Sequence, residues 1–203
     1  MLVHHFLEYY ARNNPRNTCL VQDGVSTSYS EANRLANRLA NGLSAMGVGK
    51  GQRVAILGEN SLEHLLLFMA AGKIGAVAVS LNYRLAPVEL AYILNDAQAR
   101  VLLLLDNGLL GSLEGMRGRL PPGMQLLTRG QPGSTDWDGW LAAQADTQRS
   151  HAVEPDDALL QLYTSGTTGN PKGVVITHQN LLAECVMNTA FMPYRPSAGM
   201  ADI

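Results

Sequence analysis

Four short apolar runs, separated by long intervening segments, constrain the fold of this chain more than any other feature. Strands are predicted at residues 53–57, 76–80, 101–105 and 158–163. The third run is aliphatic throughout, which is typical of a strand covered on both faces. Helical patterns between the first three strands predict βαβ units. We therefore expect an α/β fold with a mostly parallel sheet and flanking helices.

The region before the first of these strands predicts a hairpin followed by a helix. Asp23–Gly24 joins two alternating runs and favours a type I′ turn, because both positions tolerate positive φ. Ser28 and Glu31 have the spacing of a capping box. The helix that follows repeats apolar residues at intervals of three or four. They are Ala32, Leu35, Ala36, Leu39, Leu43 and Met46.

The long apolar segment at 62–81 raises the question of a membrane span. It contains Glu63, His64 and Lys73, whereas a spanning helix of about 20 residues carries almost no charge. We predict a buried helix followed by a buried strand. Another helix is expected from Pro87, which suits the first helical position.

The segment 106–150 carries a weaker pattern, because glycine and proline are frequent there. We predict an irregular excursion with one strand near 124–127 and a short helix at most near 136–140. After it, a strand at 174–176 should be followed by a helix from His178, with Thr177 as its N-cap.

Composition excludes some classes of function. The 203 residues carry a formal net charge of −2, which argues against a nucleic-acid-binding protein, since such proteins present a basic face. Cys19 and Cys185 have no metal-ligand spacing and are expected to be reduced residues in or near the core. The N-terminus lacks the features of a signal peptide. A cytoplasmic protein is therefore predicted.

One polar stretch, LYTSGTTGNPKG at 162–173, stands between two predicted strands. Its glycines allow the backbone to turn sharply, and successive N–H groups in such a turn bind anions. The hydroxyl groups and the ammonium group of Lys172 add donors and positive charge. A loop at the carboxyl end of a strand is also where open α/β sheets bind ligands. The stretch therefore predicts a polyphosphate site.

Other interpretations of this loop fit its sequence less well. A flexible polar linker is disfavoured by the apolar strands on both sides and by Pro171 next to Lys172. The Walker A pattern fails, because Gly173 follows the lysine where Ser or Thr is required. No GxGxxG fingerprint is present. A different phosphate-binding loop remains.

The string at 163–173 closely resembles the phosphate-binding signature of the AMP-forming acyl-CoA synthetases. Their superfamily also contains luciferases and the adenylation domains of peptide synthetases. Stretches at 27–60, 64–96 and 174–181 resemble the same family in the same order. The string LNYRLAPVELAYIL at 81–94 favours acyl- or aryl-CoA synthetases over peptide-synthetase domains.

The resemblance implies a reaction and a set of residues. Family members join a carboxylate to AMP from ATP, release pyrophosphate, and usually pass the acyl group to coenzyme A. By this resemblance, Lys172 neutralises the departing pyrophosphate and Thr168 supplies the hydroxyl nearest Mg²⁺, so these two are the predicted catalytic residues. The residues implied to wrap the phosphates are Thr164, Ser165, Gly166, Thr167, Thr168 and Gly169.

The chain is much shorter than enzymes of that family. We expect residues 1–157 to be the N-terminal α/β subdomain of the AMP-binding domain, and 158–203 to begin the next subdomain, which carries the loop. The rest of the large domain and the C-terminal lid are then absent, and the chain alone should not form acyl-adenylate at a normal rate. The alternative is a non-catalytic scaffold or interaction module that retains the loop.

The expected partners are a small-molecule carboxylate and, through apolar surface left by the shortness of the chain, a second copy of the chain. Fatty, aromatic and short-chain acids all remain open as substrates. Among the histidines, His4 and His5 are expected at the surface or a helix end. His64 is expected to be a satisfied structural residue. His178 is open to either a structural role or contact with a substrate.

Overall fold

The computed structural model describes residues 1–116, 118–129, 131, 134–164 and 170–191. Its helices are α1 (His4–Asn13), α2 (Tyr29–Ala45), α3 (Leu62–Ile74), α4 (Pro87–Asp96), α5 (Leu110–Met116), α6 (Trp137–Ala142) and α7 (His178–Phe191), with a 3₁₀ turn at Asn107–Leu109. Its strands are β1 (Thr18–Gln22), β2 (Val25–Ser28), β3 (Arg53–Leu57), β4 (Val77–Leu81), β5 (Val101–Leu104), β6 (Gln125–Thr128), β7 (Thr135–Asp136), β8 (Ala158–Thr164) and β9 (Lys172–Thr177).

Most strands belong to one sheet, in the order β7-β6-β5-β3-β4-β8-β9. Neighbours from β7 to β8 are parallel, and β9 is antiparallel to β8. β1 and β2 form a separate antiparallel hairpin. The predicted α/β fold with a mostly parallel sheet is therefore confirmed.

Local sequence signals explain the start of α2. Asp23 and Gly24 have φ values of 51° and 77°, so the hairpin turn uses the positive φ that this dipeptide tolerates. The side chain of Ser28 accepts a hydrogen bond of 3.2 Å from the backbone N–H of Glu31. That bond satisfies one of the free donors at a helix N-terminus. The predicted turn is confirmed, and of the predicted capping box the bond to the Ser28 side chain is found.

Helices cover both faces of the sheet. On one face α1, α2, α3 and α6 bury Leu7, Leu39, Leu67 and Trp137 against strand residues such as Ile56. On the other face α4 and α5 bury Leu90, Leu94, Leu113 and Met116. Coverage on both sides explains why β5 is aliphatic at every position. Among the described residues, no helix has the length and apolar character needed to cross a membrane.

The prediction of an irregular excursion at 106–150 was wrong in part. α5 forms within it, although its sequence LGSLEGM has two glycines and too few turns for a clear period. Leu113 and Met116 are its buried residues, so packing against α4 stabilises a helix that propensity alone would not. β6 is found at the predicted strand, and α6 begins next to Asp136, whose side chain accepts a hydrogen bond from the N–H of Gly139.

A cluster of buried polar side chains attaches α1 to the rest of the fold. The Lys73 Nζ atom donates to Glu8 Oε1 over 2.6 Å, and both residues are buried. The backbone N–H of Val3 donates to Nδ1 of His178 over 3.2 Å. The ring of His4 lies edge-on to the ring of His178, with centroids 5.8 Å apart. Burial lowers the pKa of His4 to about 4 and also lowers that of His178.

Acidification is expected to destabilise the fold. An imidazole in the unfolded chain takes up a proton near pH 6.5, whereas buried His4 stays neutral until about pH 4. The unfolded state then binds more protons, so the free energy of unfolding falls as the pH drops from about 6.5 to about 4. Urea unfolding at pH 7, 6 and 5 measures this. His4→Leu should flatten the pH dependence and exposed His151→Leu should not; equal slopes would contradict the assignment.

Candidate functional site

A cleft of about 1040 Å³ opens at the carboxyl edge of the sheet. Its walls come from the residues that directly follow successive parallel strands. They are 58–61 after β3, 82–85 after β4, 105–106 after β5, Arg129 after β6, and 162–164 at the end of β8. One wall of the cleft is thus the strand that enters the loop singled out above.

The strand order explains why a cleft forms here. β3 and β5 are neighbours, but the chain leaves β3 towards β4 on one side and leaves β5 towards β6 on the other. The helices that follow them lie on opposite faces of the sheet, because α3 and α5 belong to different core clusters. A crevice at such a topological switch point is the usual ligand site of an open α/β sheet.

Charged residues line the cleft in positions that sequence reasoning did not assign. Arg129 donates to Glu63 Oε1 over 2.7 Å and lies 3.4 Å from a carboxylate oxygen of Asp138. Burial acts to raise the pKa of Glu63, but the hydrogen bonds from Arg129, Ser61 and its own backbone N–H, with the charge of Arg129, together lower this pKa overall. Arg129 is therefore engaged with carboxylates. The sequence signal that could have identified Arg129 was its position immediately after a predicted strand.

The loop connects β8 to β9 as a hairpin. The ladder pairs Thr164 with Lys172 and, one step further from the loop, Tyr163 with Gly173. Thr164 lies in the cleft wall, and the side chain of Lys172 is exposed. The structure thus brings together two of the predicted phosphate-binding residues. The predictions for Ser165, Gly166, Thr167, Thr168 and Gly169 lie outside the described residues.

The chemistry of the described loop ends suits an anion. Within the described part of the chain, Lys172 forms no ion pair with a carboxylate, so its ammonium group is available to a ligand. Arg84 is also exposed in the cleft wall. Together with the hydroxyl of Thr164 these groups can bind phosphate oxygens, since ammonium and guanidinium donors form the stronger, charge-assisted hydrogen bonds.

A metal site is not supported at the one cluster of suitable ligands found in the described residues, His4, His5 and Glu8. The ammonium of Lys73 lies 2.6 Å from the Glu8 carboxylate, where a cation would bind. That cluster is therefore the structural ion pair described above. The predicted metal residue Thr168 is outside the described residues.

The contacts of His4, His64 and His178 are those of residues that stabilise the fold. His4 begins α1 and is buried, while His5 is exposed. Nδ1 of His64 lies 3.3 Å from Oγ of Ser61, which matches the predicted satisfied histidine. His178 is fully buried and accepts its hydrogen bond from Val3. Of its two open roles, the structural one therefore holds.

Comparison with known proteins decides the family. A family model described as AMP-binding enzyme matches residues 7–202. The chain belongs to the AMP-binding enzyme family. The loop at 163–173 is thus found in a chain of the family whose signature it resembles.

Relatives within the AMP-binding enzyme family include ligases for aromatic and fatty acids. The 3-hydroxybenzoate–CoA ligase of Aromatoleum sp. (strain CIB) is 36% identical over 179 residues, which are 87% of this chain and 34% of the relative. A Mycobacterium tuberculosis fatty acyl CoA synthetase superposes with a TM-score of 0.86 at 31% identity, over 96% of this chain and 38% of that one.

A second similar structure was solved with anthranoyl-AMP. The anthranilate CoA ligase AuaEII in complex with anthranoyl-AMP superposes with a TM-score of 0.83 at 30% identity, covering 88% of this chain and 35% of that chain. The chain spans about a third of the length of these relatives, as the covered shares of 34%, 38% and 35% show. The family match at 7–202 includes the sheet and the hairpin that carries the loop.

Proposed function

We propose that this chain is the N-terminal part of an AMP-forming acid–thiol ligase, an acyl- or aryl-CoA synthetase. The observation that carries the proposal is the placement of the loop ends. Thr164 lies in the wall of the cleft and is paired with Lys172, which has no carboxylate partner among the described residues. Membership of the AMP-binding enzyme family and similarity to named CoA ligases support the same reaction.

The proposed reaction has two steps. A carboxylate oxygen of the acid attacks the α-phosphorus of ATP, the bond to pyrophosphate breaks, and acyl-AMP forms. The sulfur of coenzyme A, after losing its proton, then attacks the acyl carbon, and AMP leaves with the electrons of the broken anhydride bond. In the first step negative charge develops on the leaving pyrophosphate. Donors placed in advance around that charge lower the barrier.

Residues of this chain would act in the first step. Lys172 would neutralise the departing pyrophosphate, and residues 164–169 would donate hydrogen bonds to the phosphate oxygens. Thr168 is the residue proposed nearest Mg²⁺, which when bound neutralises phosphate charge and orients the leaving group. The Thr164 hydroxyl and the available ammonium of Lys172 fit a triphosphate, because both are donors and the ligand is anionic.

Loss of the lysine charge tests the site. Lys172→Ala is expected to raise the Kd of the chain for Mg·ATP and for pyrophosphate about tenfold, the effect of removing one charge-assisted contact. Isothermal titration calorimetry measures it. Lys50→Ala is the matched control, because Lys50 precedes β3 at the opposite edge of the sheet and pairs with Asp157. Equal affinities of wild type and Lys172→Ala would refute the phosphate site.

The remaining proposals concern the whole protein. The acid is a small-molecule carboxylate, and both aromatic and fatty acids are substrates named for the relatives. The division of the chain at 157/158 stays a prediction. So does association between copies of the chain, for which the exposed apolar residues of β9 and α7 are the candidates. They are Val174, Val175, Val186, Met187 and Phe191.

A further inference from the structure

The base of the loop is held by an unusual cross-strand pair. Tyr163 and Gly173 are partners in the β8–β9 ladder, directly below the pair Thr164 and Lys172 that closes the loop. In an antiparallel ladder the side chains of partners lie on the same face of the sheet. The Tyr163 ring therefore lies over the backbone of β9 next to Lys172, and its position affects the position of Lys172.

Gly173 leaves the space that the tyrosine ring uses. A Cβ atom at this position would lie 3.0 Å from Cζ and 3.1 Å from the hydroxyl oxygen of Tyr163, and 2.5 Å from Nε2 of Gln161. The ring thus lies close over the glycine backbone. Glycine within a strand commonly marks such a close approach. The glycine that follows Lys172 is therefore explained by packing: a side chain at this position would collide with Gln161 and Tyr163.

Hydrogen bonds fix the far end of the same ring. The Tyr163 hydroxyl donates to Oδ2 of Asp96 over 2.5 Å and accepts from Nε2 of Gln161 over 2.9 Å. Oε1 of Gln161 in turn accepts from Nε of Arg53 over 3.1 Å. Asp96 is the last residue of α4, so the chain of bonds connects a helix, β3 and β8. Burial and the bond to Asp96 raise the pKa of Tyr163, so the hydroxyl keeps the proton that it donates.

We propose that Tyr163 is a positioning residue of the phosphate site: held by Asp96 and packed over Gly173, it fixes the paired loop ends so that Lys172 meets the phosphates. The inference rests on the proposed function, since it assigns Tyr163 a role toward the same ligand. Tyr163 acts through Lys172 in this arrangement. Its hydroxyl is already used by Asp96 and Gln161.

Binding and stability measured together test the role. Tyr163→Phe keeps the ring and removes the bond to Asp96, and is expected to raise the Kd for Mg·ATP and pyrophosphate roughly tenfold, since small misplacements of a binding group weaken its action strongly. Asp96→Asn, which weakens the same bond, should act in the same direction. Tyr9→Phe is the matched control, because it makes the same chemical change at an exposed residue of α1.

A double variant separates positioning from stability. In the Lys172→Ala background, Tyr163→Phe should leave the Kd unchanged, because the group that it positions is gone. Its effect on Tm should be the same in both backgrounds. Gly173→Ala, whose methyl group would lie 2.5 Å from Nε2 of Gln161 and 3.0 Å from the Tyr163 ring, provides a second variant with the same expected loss of affinity.

The outcomes distinguish the two proposals. If Lys172→Ala weakens binding but Tyr163→Phe and Gly173→Ala do not, the positioning role is overturned and the phosphate site stands. The same holds if Tyr163→Phe weakens binding equally with and without Lys172. If the wild-type chain shows no affinity that depends on Lys172, the phosphate site is refuted, and the role of Tyr163 with it.

Discussion

Replacing Lys73 with methionine is expected to lower the free energy of unfolding by about 3–5 kcal/mol at pH 7, the range found when one partner of a buried ion pair is removed. Lys73 and Glu8 are only 5% and 9% exposed, so water cannot take the place of the missing ammonium. Burial alone would raise the pKa of Glu8, but the hydrogen bond and charge of Lys73 lower it overall. Without Lys73, the carboxylate loses its strongest partner and keeps the penalty of burial.

The double variant Glu8→Leu/Lys73→Met is the control for this prediction. Removing both charges leaves no unpaired ion, and apolar replacements of buried ion pairs are often neutral or stabilising. Urea unfolding of wild type, both single variants and the double variant gives the coupling energy directly. A Lys73→Met variant within about 1 kcal/mol of wild type would show that the pair does not hold α1 to α3.

Trp137→Ala is expected to cost about 3–5 kcal/mol, the usual loss when a buried tryptophan is truncated. Trp137 is 2% exposed and belongs to the core that contains α2. The neighbouring Trp140 lies against the same helix, since a Cβ on Gly42 would lie 2.5 Å from its Cζ2 atom. The two indole rings, whose centroids are 5.9 Å apart, thus attach α6 to α2.

A graded series checks that the loss reflects packing. Trp137→Phe keeps an aromatic ring in the same place and should cost clearly less than the alanine variant, because the residual cavity is smaller. Chemical denaturation monitored by circular dichroism measures both changes without relying on tryptophan fluorescence. If phenylalanine and alanine destabilise the fold equally, a mechanism other than cavity formation operates at this position.

The mostly parallel sheet was accessible from sequence because its central strands are covered on both faces, whereas the strand order was not predicted. Arg53–Leu57 and Val101–Leu104 are aliphatic or nearly so. This pattern indicates a buried strand whatever the exact packing of the neighbouring helices. The core role of Trp137 was not accessible, because its neighbours Asp136 and Asp138 give the segment a polar appearance. Similarly, the Glu8–Lys73 pair joins residues 65 positions apart. No pattern of neighbouring residues in the sequence indicates a contact between residues so far apart.

The candidate site also has features that the sequence showed and features that it did not. The glycines, hydroxyls and lysine of the loop were visible because they are neighbours in sequence. The cleft was not visible, since Glu63 from the start of α3, Arg84 after β4 and Arg129 after β6 are brought together only by the parallel sheet. Tyr163 was seen as a member of the motif, yet its partner Asp96 could not be inferred, because the two lie 67 positions apart.

The hydrogen bond between Val3 and His178 spans 175 positions of the chain. During synthesis the first residues leave the ribosome long before His178 does, so α1 cannot acquire this anchor until β8, β9 and the start of α7 have emerged. Lys73 is made much earlier, so the Glu8–Lys73 pair can hold α1 to α3 before this second anchor forms. The attachment of the amino terminus to α7 is therefore completed only when most of the described chain has been made.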